Sequence, residues 1–432
     1  MINRSNILLV FSVGVKMLAV VAGLFVNRWL NTNINTETLR DYNLILVYNA
    51  LILGIVTLGI PELVQKFYTN HSDSSKYADF WTTITFLRVV LYVFSIFFII
   101  LTFRLSRTTE LFLIISIFTA QYILLFDINF RSICDAFNKN WQFSLTDFVT
   151  KALLLLFLYI PIFGFDFQNT VAYFAFLSIT VYLIQIALDW WLQRKYIGIG
   201  KVDFNILKFN FSRFFYLGVV GFAGGLYSLT DRWFLDFFEF DEFVIVGYSN
   251  AFKLIEISLI VPSLIIPVIT SKAKRDFTNF IKNSDTELKS LQIYKFLFKY
   301  LLFSLVVGVG TSLGILFFGK FAILLIDPQR RFYDYSIESL NYLAFAIIPS
   351  GLISFTANMN VFLDAEKYEF IGILIITVSV ISLYLYLIPI YGHIGAALSS
   401  LIGNAVIFLV KLFFFNVAIH DHAKIPNLGK TG

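Results

Sequence analysis

About a dozen apolar stretches of roughly 20 residues each run through this 432-residue chain, with little sequence left between them. A hydrocarbon core about 30 Å thick needs roughly 20 residues of helix to cross it, and inside it every backbone polar group must be bonded within the protein. The chain is therefore expected to be an all-α integral membrane protein with no room for a sizeable soluble domain. Its 58% hydrophobic and 14% charged content, mean hydropathy of +0.78, 51 Phe and 22 Tyr agree with lipid-facing surface and interfacial aromatic belts.

Twelve spans are expected. Six run over Asn6–Arg28, Tyr42–Val64, Phe80–Phe103, Glu110–Phe130, Ser144–Phe163 and Thr170–Trp191. Six more run over Phe214–Leu235, Phe243–Ile269, Ile293–Phe318, Leu340–Leu363, Phe370–Ile390 and Ile394–Phe415. The first is longer than the core of a signal peptide and lacks a small-residue cleavage pattern before Asn27 and Arg28, so it is expected to remain as a helix. The organisation that follows is an N-terminal six-helix lobe (1–195), a linker (196–213), a C-terminal six-helix lobe (214–416) and a tail (417–432).

Basic residues resist translocation, and they concentrate in the even-numbered connections: Arg194, Lys195, Lys201, Lys208 and Arg213 in one, Lys272, Lys274, Arg275, Lys282, Lys289 and Lys295 in another. Both termini and the linker are thus expected on the cytoplasmic side of a bacterial inner membrane. The same rule accounts for the basic loops without a nucleic-acid partner, since no aromatic stacking platform accompanies them. A single cysteine, Cys134, and four scattered histidines give no disulfide framework and no metal-ligand spacing. No cofactor is implied.

The halves echo each other. Arg28 and Trp29 correspond to Arg232 and Trp233, while Tyr42, Pro61 and Lys66 correspond to Tyr248, Pro267 and Lys272 at one constant spacing. Asn129, Asp135 and Ala136 correspond to Asn358, Asp364 and Ala365. Six spans per half in the same sense suggest two parallel bundles, an arrangement found in alternating-access transporters that bind substrate near the midplane.

Charges inside spans cost at least about 2.5 kcal/mol each unless they face a cavity or a partner. Lys16, Arg88, Lys151, Arg232 and Lys253 are the candidate substrate-binding cations, and Asp231 and Glu256 are candidates for ion coupling. Lys253 and Glu256 lie three residues apart and can neutralise one another; Lys151, Asp189, Arg28, Asp231 and Arg232 can snorkel toward the interface. The cationic excess suits an anionic substrate, whereas a cation or drug antiporter is expected to carry carboxylates. No Walker loop, zinc motif or nucleophile elbow suggests an enzyme.

Several segments carry a resemblance. They are VNRWL and LGIPELVQKFY, YSLTDRWFLDFF and VGYSNAFKLIE, NVFLDAEKYE, and LIPIYGHIGAALSSLIGN, in that order along the chain. Together with Lys16 in the opening span, they resemble polysaccharide flippases of the multidrug/oligosaccharidyl-lipid/polysaccharide exporter superfamily, including Wzx-type O-antigen flippases. In that family Gly392, Gly395, Ala396 and Ala397 would form a short turn followed by close helix packing. The resemblance implies a V-shaped pair of lobes around a central cavity that passes an undecaprenyl-diphosphate-linked oligosaccharide outward, with its tail left in lipid. Membrane lipids, and a polymerase or chain-length regulator, are the other expected partners. Trp233 and Tyr248 are candidates for stacking on sugar rings. A drug exporter of the same superfamily, a polysaccharide polymerase and a lipid II flippase are the competing readings.

Overall fold

The computed structural model describes residues 4–70, 75–103, 108–137, 139–159, 170–282, 290–362 and 366–423, and among them the chain is helical with no strand. Two compact units divide it, Met1–Gly225 and Leu226–Gly432, with the division inside one helix. The Phe163 and Leu363 ends of two expected spans, and Asp364 and Ala365 of the repeat, lie outside the described residues.

In the first unit α1 (Arg4–Asn33), α4 (Ser75–Phe103), α5 (Thr108–Ala136), α6 (Asn140–Tyr159) and α7 (Thr170–Gln193) each cover one expected span. The second span is divided into α2 (Thr36–Thr57) and α3 (Ile60–Asn70). Leu58 and Gly59, at φ 49° and 62°, are both left-handed, which ends one helix and lets Pro61 open the next without a missing donor. Helix α8 (Phe204–Phe237) begins ten residues before the expected seventh span, so the segment 204–213 is helix rather than linker.

The second unit breaks two of its spans at proline. The eighth is α9 (Glu242–Ser258) and α10 (Ile260–Lys282), interrupted at Leu259 just before Pro262. The tenth is α12 (Tyr333–Ala346) and α13 (Ser350–Phe362), bent by 42°. Pro349 has no N–H for the carbonyl four residues back, and the amides of Ile347 and Ile348 turn to the carbonyls of Ala344 and Phe345 at 3.4 and 3.1 Å instead. Between them in sequence, α11 (Ser290–Ile326) crosses α13 at glycines: a Cβ on Gly308 would sit 2.1 Å from the Ile348 carbonyl oxygen, and one on Gly351 would sit 2.2 Å from that of Ser304. Only glycine allows the two backbones to approach so closely.

Helix α14 (Glu366–Ala423) contains the last two spans. Its apolar stretch Phe370–Val417 has 48 residues, about 72 Å of helix, more than twice the ~30 Å that a bilayer core requires. Gly392 (φ 58°, ψ −132°) interrupts it, three residues after Pro389, and divides it into two crossings. Ala396 and Ala397 beyond the turn are fully buried, in keeping with the close packing that the sequence leads one to expect. Phenylalanines such as Phe94, Phe97, Phe317 and Phe321 project outward with exposures of 64–73%, which in a bilayer is contact with lipid rather than with water.

Candidate functional site

Each unit buries its own polar cluster. In the first unit, Ser12 and Lys16 lie one turn apart on α1, and Ser144, Asp147 and Lys151 follow the same face of α6. Close packing of α1 on α6 aligns these faces into two rungs. The Ser12 and Ser144 hydroxyls are 2.7 Å apart, and Lys16 Nζ is 2.5 Å from Asp147 Oδ2. Lys151 Nζ reaches the other oxygen of Asp147 at 3.1 Å. Lys16 and Arg131 also lie against the Phe143 ring, at 5.0 and 5.5 Å from its centroid.

Behind this set, Asp127 on α5 and Asp189 on α7 approach each other, with Gln185 beside Asp127 and Thr146 beside Asp189. Asp189 is fully buried and does not snorkel, which corrects the sequence expectation: its place late in α7 faces the other helices of the bundle. Asp127 and Asp147 were missed by a search directed at cations. The four-residue spacing of Asp147 and Lys151 on one helix was a readable signal for an ion pair.

Arg88 occupies a different position from the one a cavity cation would need. It is fully buried, and its guanidinium donates to the Val56 carbonyl at 3.0 Å and to Asn129 Oδ1 at 3.2 Å. Val56 lies in the last turn of α2, where carbonyls lose their intrahelical partners, so Arg88 acts as a cap that ties α4 to α2 and α5. Tyr122 reinforces the tie by donating to the Arg88 carbonyl at 2.7 Å. Its repeat counterpart does not follow: Asn129 is buried in this network, whereas Asn358 is exposed and bonds within its own helix.

In the second unit the cluster joins the end of α8 to α9. Asp231 is fully buried; its Oδ1 accepts from the Arg232 amide at 2.8 Å and its Oδ2 from the Tyr248 hydroxyl at 2.5 Å. The Arg232 guanidinium lies 4.7 Å from the Phe252 ring centroid, and its Nε is 3.7 Å from Asp231 Oδ1, too long for a hydrogen bond. Among the described residues, that buried Nε has no hydrogen-bond partner. Lys253 and Glu256 are within electrostatic reach of each other and of Arg232. Lys253 is buried, while Glu256, one turn on, is exposed.

The two aromatic candidates part company. Trp233 is half-buried and stacks on Phe237 with centroids 5.3 Å apart. Tyr248 is fully buried, so no ring face is open to a sugar, and its hydroxyl serves Asp231. Among the described residues no group of three metal-ligating side chains converges.

Neither a protein-family model nor a curated protein matches the sequence. Solved structures do match it over nearly their whole length. An inward-facing multidrug resistance MATE family transporter of the MOP superfamily superposes with a TM-score of 0.72 at 14% identity, over 97% of this chain and 100% of that one. An outward-facing structure of such a transporter gives 0.70 at 14% identity over 98% of each chain. A MOP superfamily transporter from Pyrococcus furiosus, described as having a binding pocket of reversed polarity that suggests a different function, gives 0.69 at 14% identity over 97% and 95%.

The chain has the fold of a MOP-superfamily transporter. The expected all-helical, two-bundle architecture is thereby met. In this fold each bundle carries a buried polar cluster of its own: the first holds its cations Lys16 and Lys151 on Asp147, and in the second, among the described residues, the Arg232 Nε has no acceptor.

Proposed function

We propose that this protein is a flippase that moves a lipid-linked oligosaccharide diphosphate from the cytoplasmic to the outer leaflet for surface polysaccharide assembly. The observation that carries the reading is Arg232: a guanidinium at 3% exposure, toward the end of the expected seventh span, whose Nε lacks a hydrogen-bond acceptor among the described residues. A buried donor without a partner costs about 1–3 kcal/mol, more when charged, and an entering phosphate oxygen would relieve it with a charge-assisted bond. Lys253 beside it adds positive charge, and Trp233 offers a partly open ring for a sugar. Sugars and diphosphate cannot cross hydrocarbon unaided, whereas a polyprenyl tail can stay in lipid throughout. The segments that resemble polysaccharide flippases support the same substrate.

A second reading, a cation-coupled multidrug exporter, draws support from Asp127, Asp147 and Asp189. With these carboxylates included, the intramembrane charge of the first unit is no longer in cationic excess. The Pyrococcus furiosus protein shares this fold and is described as having a binding pocket whose reversed polarity suggests a different function, so the fold alone does not choose between the readings.

Complementation tests the choice. In cells lacking their own polysaccharide flippase and supplied with matching repeat units, the wild-type chain is expected to restore surface glycan. Arg232→Gln at equal protein level is expected to lower it about tenfold, the equivalent of one charge-assisted contact. Drug efflux that depends on acid outside and on Asp127, with no glycan restored in any matched host, would replace the flippase reading with the exporter.

A further inference from the structure

A pocket of about 350 Å³ opens inside the second unit, in the size range of ligand sites and apart from the polar cluster. Phe252, Ile255, Leu343, Ile347, Val380 and Ile407 give it a mainly apolar wall. Both proline interruptions border it: Leu259 and Pro262 from the α9–α10 break, Ile347 and Ser350 from the α12–α13 bend. Irregular backbone at membrane depth is tolerated where it lines a cavity, so the breaks and the pocket are parts of one construction. The Ser350 hydroxyl on its wall is buried without a partner among the described residues.

One wall of the pocket backs onto the polar cluster of the second unit. Phe252 forms the wall there, and the Arg232 guanidinium stacks on that same ring at 4.7 Å. Tyr384 and Ser400 line the pocket with their hydroxyls 3.4 Å apart, and Tyr248, the donor to Asp231, interacts with both. An occupant thus meets a mainly apolar wall, and stacked on the Phe252 ring of that wall lies a cation whose Nε has no hydrogen-bond partner among the described residues. We propose that this pocket seats the head-proximal part of an apolar chain whose phosphate is held by Arg232. The inference rests on the flippase reading and extends it, because it assigns part of the lipid to the protein rather than to the bilayer. A phosphorylated isoprenoid and a fatty-acyl phospholipid share this chemistry.

The test is photo-cross-linking of the purified full-length protein with diazirine-bearing farnesyl phosphate, followed by peptide mapping. Label is expected in peptides containing Phe252–Leu259, Ser350–Ser354 and Ser400–Ile407. Ser354 and Ser263 line the pocket from exposed positions, so Ser354→Trp and, as a second filler, Ser263→Trp occupy its space without displacing a buried side chain. Either folded variant is expected to reduce labelling about tenfold, as is replacing the phosphate probe by uncharged farnesol. Labelling by farnesyl phosphate but not by a dodecyl phosphate diazirine assigns the pocket to isoprenoids; equal labelling assigns it to apolar chains of either source, and both support the seat. Label confined to the outer helix faces, unchanged by both tryptophans, or equal for farnesol overturns it. Such a failure beside wild-type complementation leaves the flippase reading standing, whereas failed complementation with normal labelling removes only that reading.

Discussion

The N-terminal unit pairs its buried charges across helices, and the C-terminal unit pairs them along the chain. Lys16 of α1 meets Asp147 of α6 at 2.5 Å, whereas the carboxylate nearest Arg232 among the described ion pairs is its sequence neighbour Asp231, at 3.7 Å. A cross-helix pair with short contacts fixes two helices relative to each other and leaves little for a ligand. A pair of sequential residues cannot align its groups, so the acid turns to Tyr248 and the cation keeps a donor. For Lys16 and Arg232, a similar buried cation therefore serves cohesion in one unit and keeps an unmet donor in the other.

The first way to break this contrast is Asp147→Ala, which strands two partly buried ammonium groups. Removing one partner of a buried pair costs about 3–5 kcal/mol, so the thermal midpoint of the detergent-purified protein is expected to fall steeply. Adding Lys16→Met should return much of the loss, because the stranded charge goes with it. A loss below about 1 kcal/mol would mean that the pair behaves as a surface bridge and that α1 is held by apolar packing alone.

Arg88→Met comes next. It removes two charge-assisted bonds, each of about 1.5–3 kcal/mol, and leaves the Val56 carbonyl and Asn129 without their donor. The loss is expected near 3 kcal/mol, with hydrogen exchange increased most at the end of α2. Unchanged exchange there would remove the capping role. Tyr248→Phe is milder. It deletes one hydrogen bond to a carboxylate that keeps the Arg232 amide as a donor, for a loss of about 1–2 kcal/mol by the same measurement.

The sequence made the spans legible because membrane crossing is governed by length and hydropathy, and among the described residues each expected span falls largely on helix. Helix breaks were less legible. Pro262 and Pro349 mark two of them, but the break at Leu58 and Gly59 is a left-handed turn that hydropathy does not record. For the site, the cost of burying Lys16 and Arg88 implied that each faces a cavity or a partner and read both as substrate-binding cations, but it could not name the groups they meet: Asp147 is 131 residues from Lys16, and the Val56 carbonyl is a backbone group with no signature. Burial also changed the part assigned to Tyr248, since an aromatic residue one helix away from a charge reads equally as a sugar platform or a hydrogen-bond donor.

The smallest expected effect on stability is also the sharpest on function. In Arg232→Gln, both Asp231 oxygens keep their hydrogen bonds, to the residue 232 amide and to the Tyr248 hydroxyl, so no acceptor is stranded. The lost contacts are a buried 3.7 Å ion pair, too long for a hydrogen bond, and the stacking on Phe252; because the variant also removes a buried cation with an unmet donor, the relief of desolvation offsets part of that loss, and the net is expected below the about 3–5 kcal/mol of Asp147→Ala. The thermal midpoint should therefore move little while surface glycan falls about tenfold, the reverse of Lys151→Met, which should lower stability modestly and leave glycan near wild type. Were Arg232→Gln instead to lose several kcal/mol with glycan falling only as far as protein level does, the guanidinium would be a structural group like Arg88, and the distinction between a closed and an open unit would collapse.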